Sequence, residues 1–334
     1  MKLAILMVLA TSCCLQTALG LSQNGDVDIA SETNELWRPV AFRDKRELFE
    51  GDLVLDLDEG HLKELLEEEA GRAKIPLVLP SGRIVSFKVR KSDIMPPKLA
   101  EKYPEILAFE GQSVDEHPPM QVTLQLSPTK RFRAFIQGAA GDFLIDPKKG
   151  DETHYVSQPF TREHRATHAE VAKHHCKTMN ITADEHASGR RLVGSDTHAV
   201  EYTFVIGMVA NGEYSTYHGG TKASVLAEIV TLMSRVNGIF KRELGTFFQL
   251  HEEVDRLICL EPCMIPNTAA VLDEVGGVND FLESISFSLD KADIFHTLTT
   301  GAGGVACLGS LCHSTYKSCG VTGLDNPTAD AYYV

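Results

Sequence analysis

Histidine spacing is the first feature of this sequence that suggests chemistry. His164 and His168 stand four positions apart, which would place both imidazoles on one face of a helix, and His175 follows two turns later. Such a pair can bind a metal ion, but a bare H-x-x-x-H pattern is a weak signal and is more typical of a solvated connector. Because residues 161–197 are polar and lack an apolar face, we interpret them as a connector and assign no metal ligand.

The cysteines indicate disulfide chemistry. Cys13 and Cys14 fall in an N-terminal targeting segment, and in an oxidising compartment the remaining six are expected to form disulfides. Apart from Cys176, the disulfide candidates are five cysteines that all follow residue 250, and five cysteines cannot all pair with one another. One of them must therefore be free, pair with Cys176, or pair with a residue outside this sequence. These five are Cys259, Cys263, Cys307, Cys312 and Cys319.

Two short motifs indicate possible modification. Asn180-Ile181-Thr182 is an N-x-[ST] sequon in a polar stretch, so Asn180 is a candidate glycosylation site. Gly189-Arg190-Arg191 places a dibasic pair in an accessible linker, where a processing protease could cut. Two ordinary surface arginines are the alternative interpretation of that pair.

The N-terminus indicates secretion. Lys2 followed by the apolar run 3–17 and Ala18-Leu19-Gly20 is typical of a cleaved signal peptide, residues 1–20. No later segment has the roughly 18 apolar residues of a membrane helix, so no membrane partner is expected. The formal net charge of -14 argues against a nucleic-acid partner, which needs a basic surface.

The 334 residues predict two domains of different pattern. Residues 21–35 are polar and loose, whereas residues 36–160 contain strand-like runs such as 84–89 and 121–126 and a short amphipathic helix over 60–71, which predicts a strand-rich α+β domain.

Residues 198–334 predict an α/β arrangement. A buried strand over 201–210 precedes a long amphipathic helix over 221–244, which Gly245 ends. A strand over 246–251, a second helix over 268–287 and strands over 293–298 and 304–308 follow. This order predicts a mixed, mostly parallel sheet with two helices.

An ordered series of motifs carries a family resemblance over most of residues 75–334. In the second domain the motifs are Tyr217-His218-Gly219-Gly220, Arg235-Val236-Asn237-Gly238-Ile239, Gly303-Gly304-Val305-Ala306 and Gly320-Val321-Thr322-Gly323. With Phe143-Leu144-Ile145-Asp146-Pro147 upstream, the chain resembles reprolysin-like zinc metallopeptidases of the metzincin clan. The resemblance implies a prodomain over 36–160 and the metzincin upper subdomain over 198–334.

The resemblance also implies a function for one strand. In this family the strand matching Gly304, Val305, Ala306, Cys307 and Leu308 is the sheet edge that pairs with a peptide or protein substrate, through backbone groups. The family takes its zinc ligands and general base from H-E-x-x-H-x-x-G-x-x-H, which this sequence does not contain, so no catalytic residue can be assigned. We therefore expect a fragment that ends before the zinc-binding helix.

The resemblance gives Cys176 two interpretations. In related secreted metalloproteases a prodomain cysteine occupies the open zinc position as thiolate and keeps the precursor inactive. The residues around Cys176 do not match the usual motif of that switch, and a disulfide with the odd cysteine is the alternative.

Two functions therefore remain open at the level of sequence. The first is a secreted zinc metalloendopeptidase precursor, processed by another protease. The alternative is a non-catalytic secreted protein that acts as a binding module or inhibitor.

The missing zinc motif generates a test on residues 21–334. We expect this polypeptide neither to hydrolyse peptides nor to bind zinc stoichiometrically, because a catalytic site needs three protein ligands. Metal analysis and a peptide-cleavage assay measure both properties. One tightly held zinc per chain together with chelator-sensitive cleavage would contradict the expectation.

Overall fold

The computed structural model describes residues 36–40, 48–49, 51–68, 73–161, 177–180, 202–272, 277–301, 303–325 and 327. All of them belong to one compact unit, Thr33–Val334. The predicted signal peptide, the 21–35 segment, Cys176 and the Arg190-Arg191 pair lie outside the described residues.

The first layer is an antiparallel sheet of nine strands in the order β1-β2-β9-β8-β7-β6-β5-β4-β3. Helix α1 (Glu59–Glu68) follows the second strand and helix α2 (Pro97–Lys102) follows the fourth. The strands are β1 (Trp37–Pro39), β2 (Leu53–Leu57), β3 (Lys74–Val78), β4 (Ile84–Lys91), β5 (Leu107–Ser113), β6 (Gln121–Ser127), β7 (Arg131–Gly138), β8 (Gly141–Pro147) and β9 (His154–Pro159).

Alternation along these strands explains why the layer has one buried face. Along β4, Val85, Phe87 and Val89 are buried while the side chains between them face outward, as the two-residue period of a strand requires. Leu62 and Leu66 of α1 join the same core. The opposite face of the sheet is mainly polar, so anything that packs on it must satisfy polar groups.

The second layer is a six-stranded sheet in the order β10-β14-β15-β13-β11-β12. Its strand pairs are parallel except β14 with β15, which confirms a mixed, mostly parallel sheet. The strands are β10 (Lys177–Asn180), β11 (Tyr202–Ala210), β12 (Thr246–Leu250), β13 (Ile294–Thr299), β14 (Gly303–Leu308) and β15 (Gly320–Gly323). Helix α3 (Gly212–Tyr217) follows β11.

The long helix α4 (Lys222–Leu244) lies where the sequence predicts it. A capping box between Thr221 and Ser224 begins the helix, and Gly245 ends it with φ 61°, a left-handed conformation that glycine adopts without strain. The helix is long and apolar enough to cross a membrane by composition, but 72% of its apolar window is buried within the fold. That burial is typical of a core helix.

Helix α4 lies between the two layers. One side packs on β12 of the second sheet and the other on β5, β6 and β7 of the first. Ile94, Met95 and Leu99, which follow β4, also belong to the core that is built around α4. One hydrophobic core therefore contains residues from both sides of the predicted boundary between residues 160 and 198.

The structure corrects two predictions of local structure. The second helix, predicted over 268–287, is instead a 3₁₀ turn, Ala269–Leu272, and a short helix α5 (Val278–Ser284). The predicted range contains the adjacent glycines Gly276 and Gly277, and Gly277 directly precedes α5. Because glycine is a poor helix former, a continuous helix through these two positions is disfavoured. The connector, predicted without strands, contributes β10.

Candidate functional site

The predicted substrate-binding strand is β14, and it is paired on both sides. Its partner on one side is β15, antiparallel, and on the other side β10, parallel. Lys177 lies opposite Val305 and Asn180 opposite Leu308. The strand predicted to form the sheet edge therefore lies second in the sheet, because the connector strand β10 occupies the edge.

The alternation of backbone groups identifies which part of β14 is covered by β10. The amide of Cys307 donates to the carbonyl of Cys319 at 2.9 Å, so Cys307 faces β15. Successive residues of a strand point their backbone groups to opposite sides, so Ala306 and Leu308 face β10. These are the groups that an extended peptide would need in order to add to this sheet.

Two disulfides lie in this layer. One disulfide links Cys307 of β14 to Cys319, the residue that directly precedes β15. The other links Cys259 to Cys263 in the loop after β12. Four of the five late cysteines are thereby paired, and Cys312 is the exposed free one among the described residues. Burial and the neighbouring carboxylate of Asp293 raise the pKa of the Cys312 thiol, so it stays protonated at neutral pH.

The motif Tyr217-His218-Gly219-Gly220 forms the turn between α3 and α4. His218 is buried, and its ring lies 4.4 Å from the ring of Tyr214. Burial lowers the pKa of His218 to about 4, so the imidazole is neutral at pH 7. Gly219 and Gly220 have φ of 104° and 65°, which side-chain-bearing residues rarely adopt.

A buried carboxylate at the centre of α4 pairs with the first layer. Glu228 is 2% exposed, and its carboxylate lies 3.2 Å from Nη1 of Arg133 on β7 and 3.7 Å from Nζ of Lys130. Burial, the largest single influence, would raise the pKa of Glu228, but the nearby positive charges, Arg133 first among them, together outweigh it and the pKa falls to about 2. His218 is neutral at pH 7, so the cations that stabilise Glu228 come mainly from the first layer.

The motif Arg235-Val236-Asn237-Gly238-Ile239 of α4 has contacts to both layers. The guanidinium of Arg235 donates a hydrogen bond to Asp146 of β8. Asp146 is the aspartate of the upstream motif 143–147. Asn237 donates to the Phe248 carbonyl at 2.8 Å and accepts from the Phe248 amide at 2.7 Å, which fixes β12 against the helix. The motif 235–239 and the upstream motif 143–147 therefore position the layers, and neither contains a reacting group.

The described residues do not supply a metal site. No three His, Cys, Asp or Glu side chains among them cluster closely enough to hold an ion. No step of peptide hydrolysis is therefore assigned to the described residues. The His164 and His168 pair and Cys176 lie outside the described part of the chain.

Sequence reasoning missed the ion pairs between the layers and the strand β10. One signal was present for the ion pairs: Glu228 is an acidic residue within the apolar run Leu226–Met233, where an unpaired charge would be costly. For β10, four residues in a polar stretch carry no strand pattern, because backbone pairing does not depend on side-chain type.

Comparison with known proteins supports the resemblance in the second layer. Residues 226–334, about one third of the chain, match the metallo-peptidase family M12B, reprolysin-like. The match begins in α4 and includes β14 and β15. No curated protein matches the chain.

The Glu228 ion pairs generate a stability prediction. Replacing the buried Glu228 with Gln removes the nearest carboxylate from Arg133 and Lys130, whose side chains are only 19% and 15% exposed, so we expect the free energy of unfolding to fall by about 3–5 kcal/mol. Urea unfolding at pH 7 measures this loss. Glu243→Gln on the exposed end of the same helix is the control, and its effect should stay below about 1 kcal/mol.

A double variant separates ion pairing from general damage to the helix. Glu228→Gln combined with Arg133→Gln should cost clearly less than the sum of the single changes, because the two side chains interact directly. Strict additivity, or a loss for Glu228→Gln no larger than that of the control, would show that the pair does not hold the layers together.

Proposed function

We propose that the chain is the front part of a secreted zinc metalloendopeptidase precursor, because residues 226–334 match the reprolysin-like metallopeptidases of family M12B. The family supports a protease that acts on peptides or proteins, and it does not favour the alternative of a non-catalytic binding protein. Zinc, when bound by the complete site, supplies a nucleophilic water at neutral pH.

The pairing of β10 with β14 is the observation that carries the proposal of a precursor. A substrate that adds to β14 needs the backbone groups of Ala306 and Leu308, which face β10. Substrate and β10 would therefore compete for the same hydrogen bonds. In this proposal the N-terminal part keeps the protease inactive by covering its substrate edge.

The position of Cys176 agrees with this role. It precedes Lys177, the first residue of β10, by one position in the sequence. A thiolate one residue before the strand that covers the proposed substrate edge would complete the coordination of a zinc bound nearby. We include Cys176 in the proposal as the residue that blocks the metal, with Asn180 at the other end of β10 as the glycan acceptor.

The coding sequence beyond Val334 tests the proposed activity. An in-frame H-E-x-x-H-x-x-G-x-x-H would supply the zinc ligands and the general base. We expect the protein that includes it to bind one zinc and to cleave peptides in a chelator-sensitive manner after processing. A stop codon that directly follows Val334 in the transcript would overturn the proposal.

Processing generates a separate prediction. Cleavage after Arg191 would separate the N-terminal part, including β10, from the residues that precede β11, and the covered edge could then be released. Replacing Arg190 and Arg191 with Ala should leave an uncleaved precursor in the medium, because the dibasic recognition site is lost. N-terminal sequencing of the secreted protein and immunoblotting measure the outcome.

The matched control replaces Arg162 and Arg165 with Ala, which removes the same charge from the connector without touching the dibasic pair. This variant should be processed normally. A mature N-terminus elsewhere, or normal processing of the Arg190→Ala/Arg191→Ala variant, would assign the pair to surface charge alone.

A further inference from the structure

A cavity of about 690 Å³ opens between the first sheet and the C-terminal end of α4. Strands β4 to β7 form one wall, and Gly238, Lys241 and Arg242 of the helix form the other. Its volume lies within the roughly 300–1,000 Å³ of small-molecule sites. None of its lining residues belongs to β10 or β14, so it is separate from the substrate edge.

The charge of the cavity wall is opposite to that of the whole chain. The chain has 32 basic and 46 acidic residues. The cavity is lined by four cations, Lys88 and Arg90 of β4 and Lys241 and Arg242 of α4, and by the single carboxylate of Glu110 among the described lining residues. A concave, cationic wall on an acidic protein concentrates anions locally.

Glu110 neutralises only part of this charge. It accepts hydrogen bonds from Arg90 and, at 2.9 Å, from Lys241, so two cations on opposite walls share one carboxylate. Arg90 also contacts Asp93, whose side chain is 76% exposed and does not line the cavity. A further anion between the two walls would neutralise the positive charge of the cavity lining that Glu110 leaves uncompensated.

Lys88 and Arg242 retain donors for such an anion. The side chain of Lys88 is exposed, and it forms no hydrogen bond or ion pair with the part of the chain that the structure describes. Arg242 is held by Asp142 at 2.9 and 3.1 Å and by Glu243 at 2.9 Å. These carboxylates lie outside the cavity lining and bind through Nε and Nη1, and a guanidinium has a further nitrogen to offer.

Neutral donors extend the same wall. Gln112 and Gln121 are exposed on adjacent strands and line the cavity beside Lys88. Their amide groups can donate to anionic oxygens without adding charge. The cavity thus combines separated cations with neutral donors in a volume much larger than one inorganic ion.

From this arrangement we propose that the cavity binds a small polyanion, a molecule that carries two or more sulfate, phosphate or carboxylate groups. One anionic group pairs with Lys88 and Arg90 on the sheet, and another pairs with Lys241 and Arg242 on the helix. Such a ligand joins the first layer to α4 and stabilises their association. This site is independent of the proposed protease activity.

Calorimetry on the full secreted chain tests the proposal with three probes of different chemistry: a sulfated disaccharide from heparin, inositol hexakisphosphate and citrate. Sucrose, which is uncharged, is the negative control. We expect at least one polyanion to bind with a dissociation constant below about 1 mM, with weaker binding at higher salt. The probe that binds tightest identifies the anionic group.

Lys88→Gln is the decisive variant, because Lys88 is exposed and its loss should not disturb folding. We expect it to weaken polyanion binding by about tenfold, the loss of one charge-assisted contact. Lys91→Gln removes the same charge from the same strand outside the cavity and should change the dissociation constant by less than about twofold.

Two results would overturn the proposal. The first is the absence of binding by all three polyanions at about 1 mM. The second is equal weakening by Lys88→Gln and Lys91→Gln, which would show a diffuse attraction by surface charge instead of a site. Neither readout depends on zinc or on peptide cleavage, so the proposal stands or fails separately from the proposed function.

Discussion

The structure depends on the burial of Glu228 in the middle of α4. A carboxylate that is removed from water needs cations and hydrogen bonds close by, and here the nearest cations are Arg133 and Lys130 of the first layer. Arg235, one more buried charge on the same helix, pairs with Asp146 of that layer. The helix therefore binds the polar face of the nine-stranded sheet through specific ion pairs, and separation of the layers would leave charges of both signs without partners.

This constraint links the two parts of the chain to the proposed latency. Apolar contacts hold α4 against the second sheet, whereas its contacts with the first sheet include the ion pairs of Glu228 and Arg235, and β10 covers β14. Separation of the layers breaks these ion pairs, but the charged groups regain hydration in water, which offsets part of the cost. A precursor whose N-terminal part must later leave its protease would benefit from such an interface.

The sequence predicted those features that depend on local pattern and missed those that depend on pairing between distant residues. The period of α4, its Gly245 cap and the alternation of β4 and β6 were readable because side-chain burial follows the element's own geometry. Residues 177–180 gave no such signal, because β10 is defined by the backbone of β14. The helix predicted over 268–287 was wrong in its extent, because the adjacent glycines Gly276 and Gly277 disfavour a continuous helix and only Val278–Ser284 forms one.

Hydrogen exchange of β14 tests the central claim, that β10 covers the substrate edge, most directly. Thr178→Pro with Met179→Pro removes two amide donors and disfavours β10, while Glu185→Pro with His186→Pro is the control in the connector. We expect slow exchange at Ala306 and Leu308 in the unmodified chain and in the control, and exchange at least about tenfold faster in the β10 variant, with Cys307 still protected by β15. Fast exchange at Ala306 and Leu308 in the unmodified chain, or no change in the β10 variant, would contradict the account.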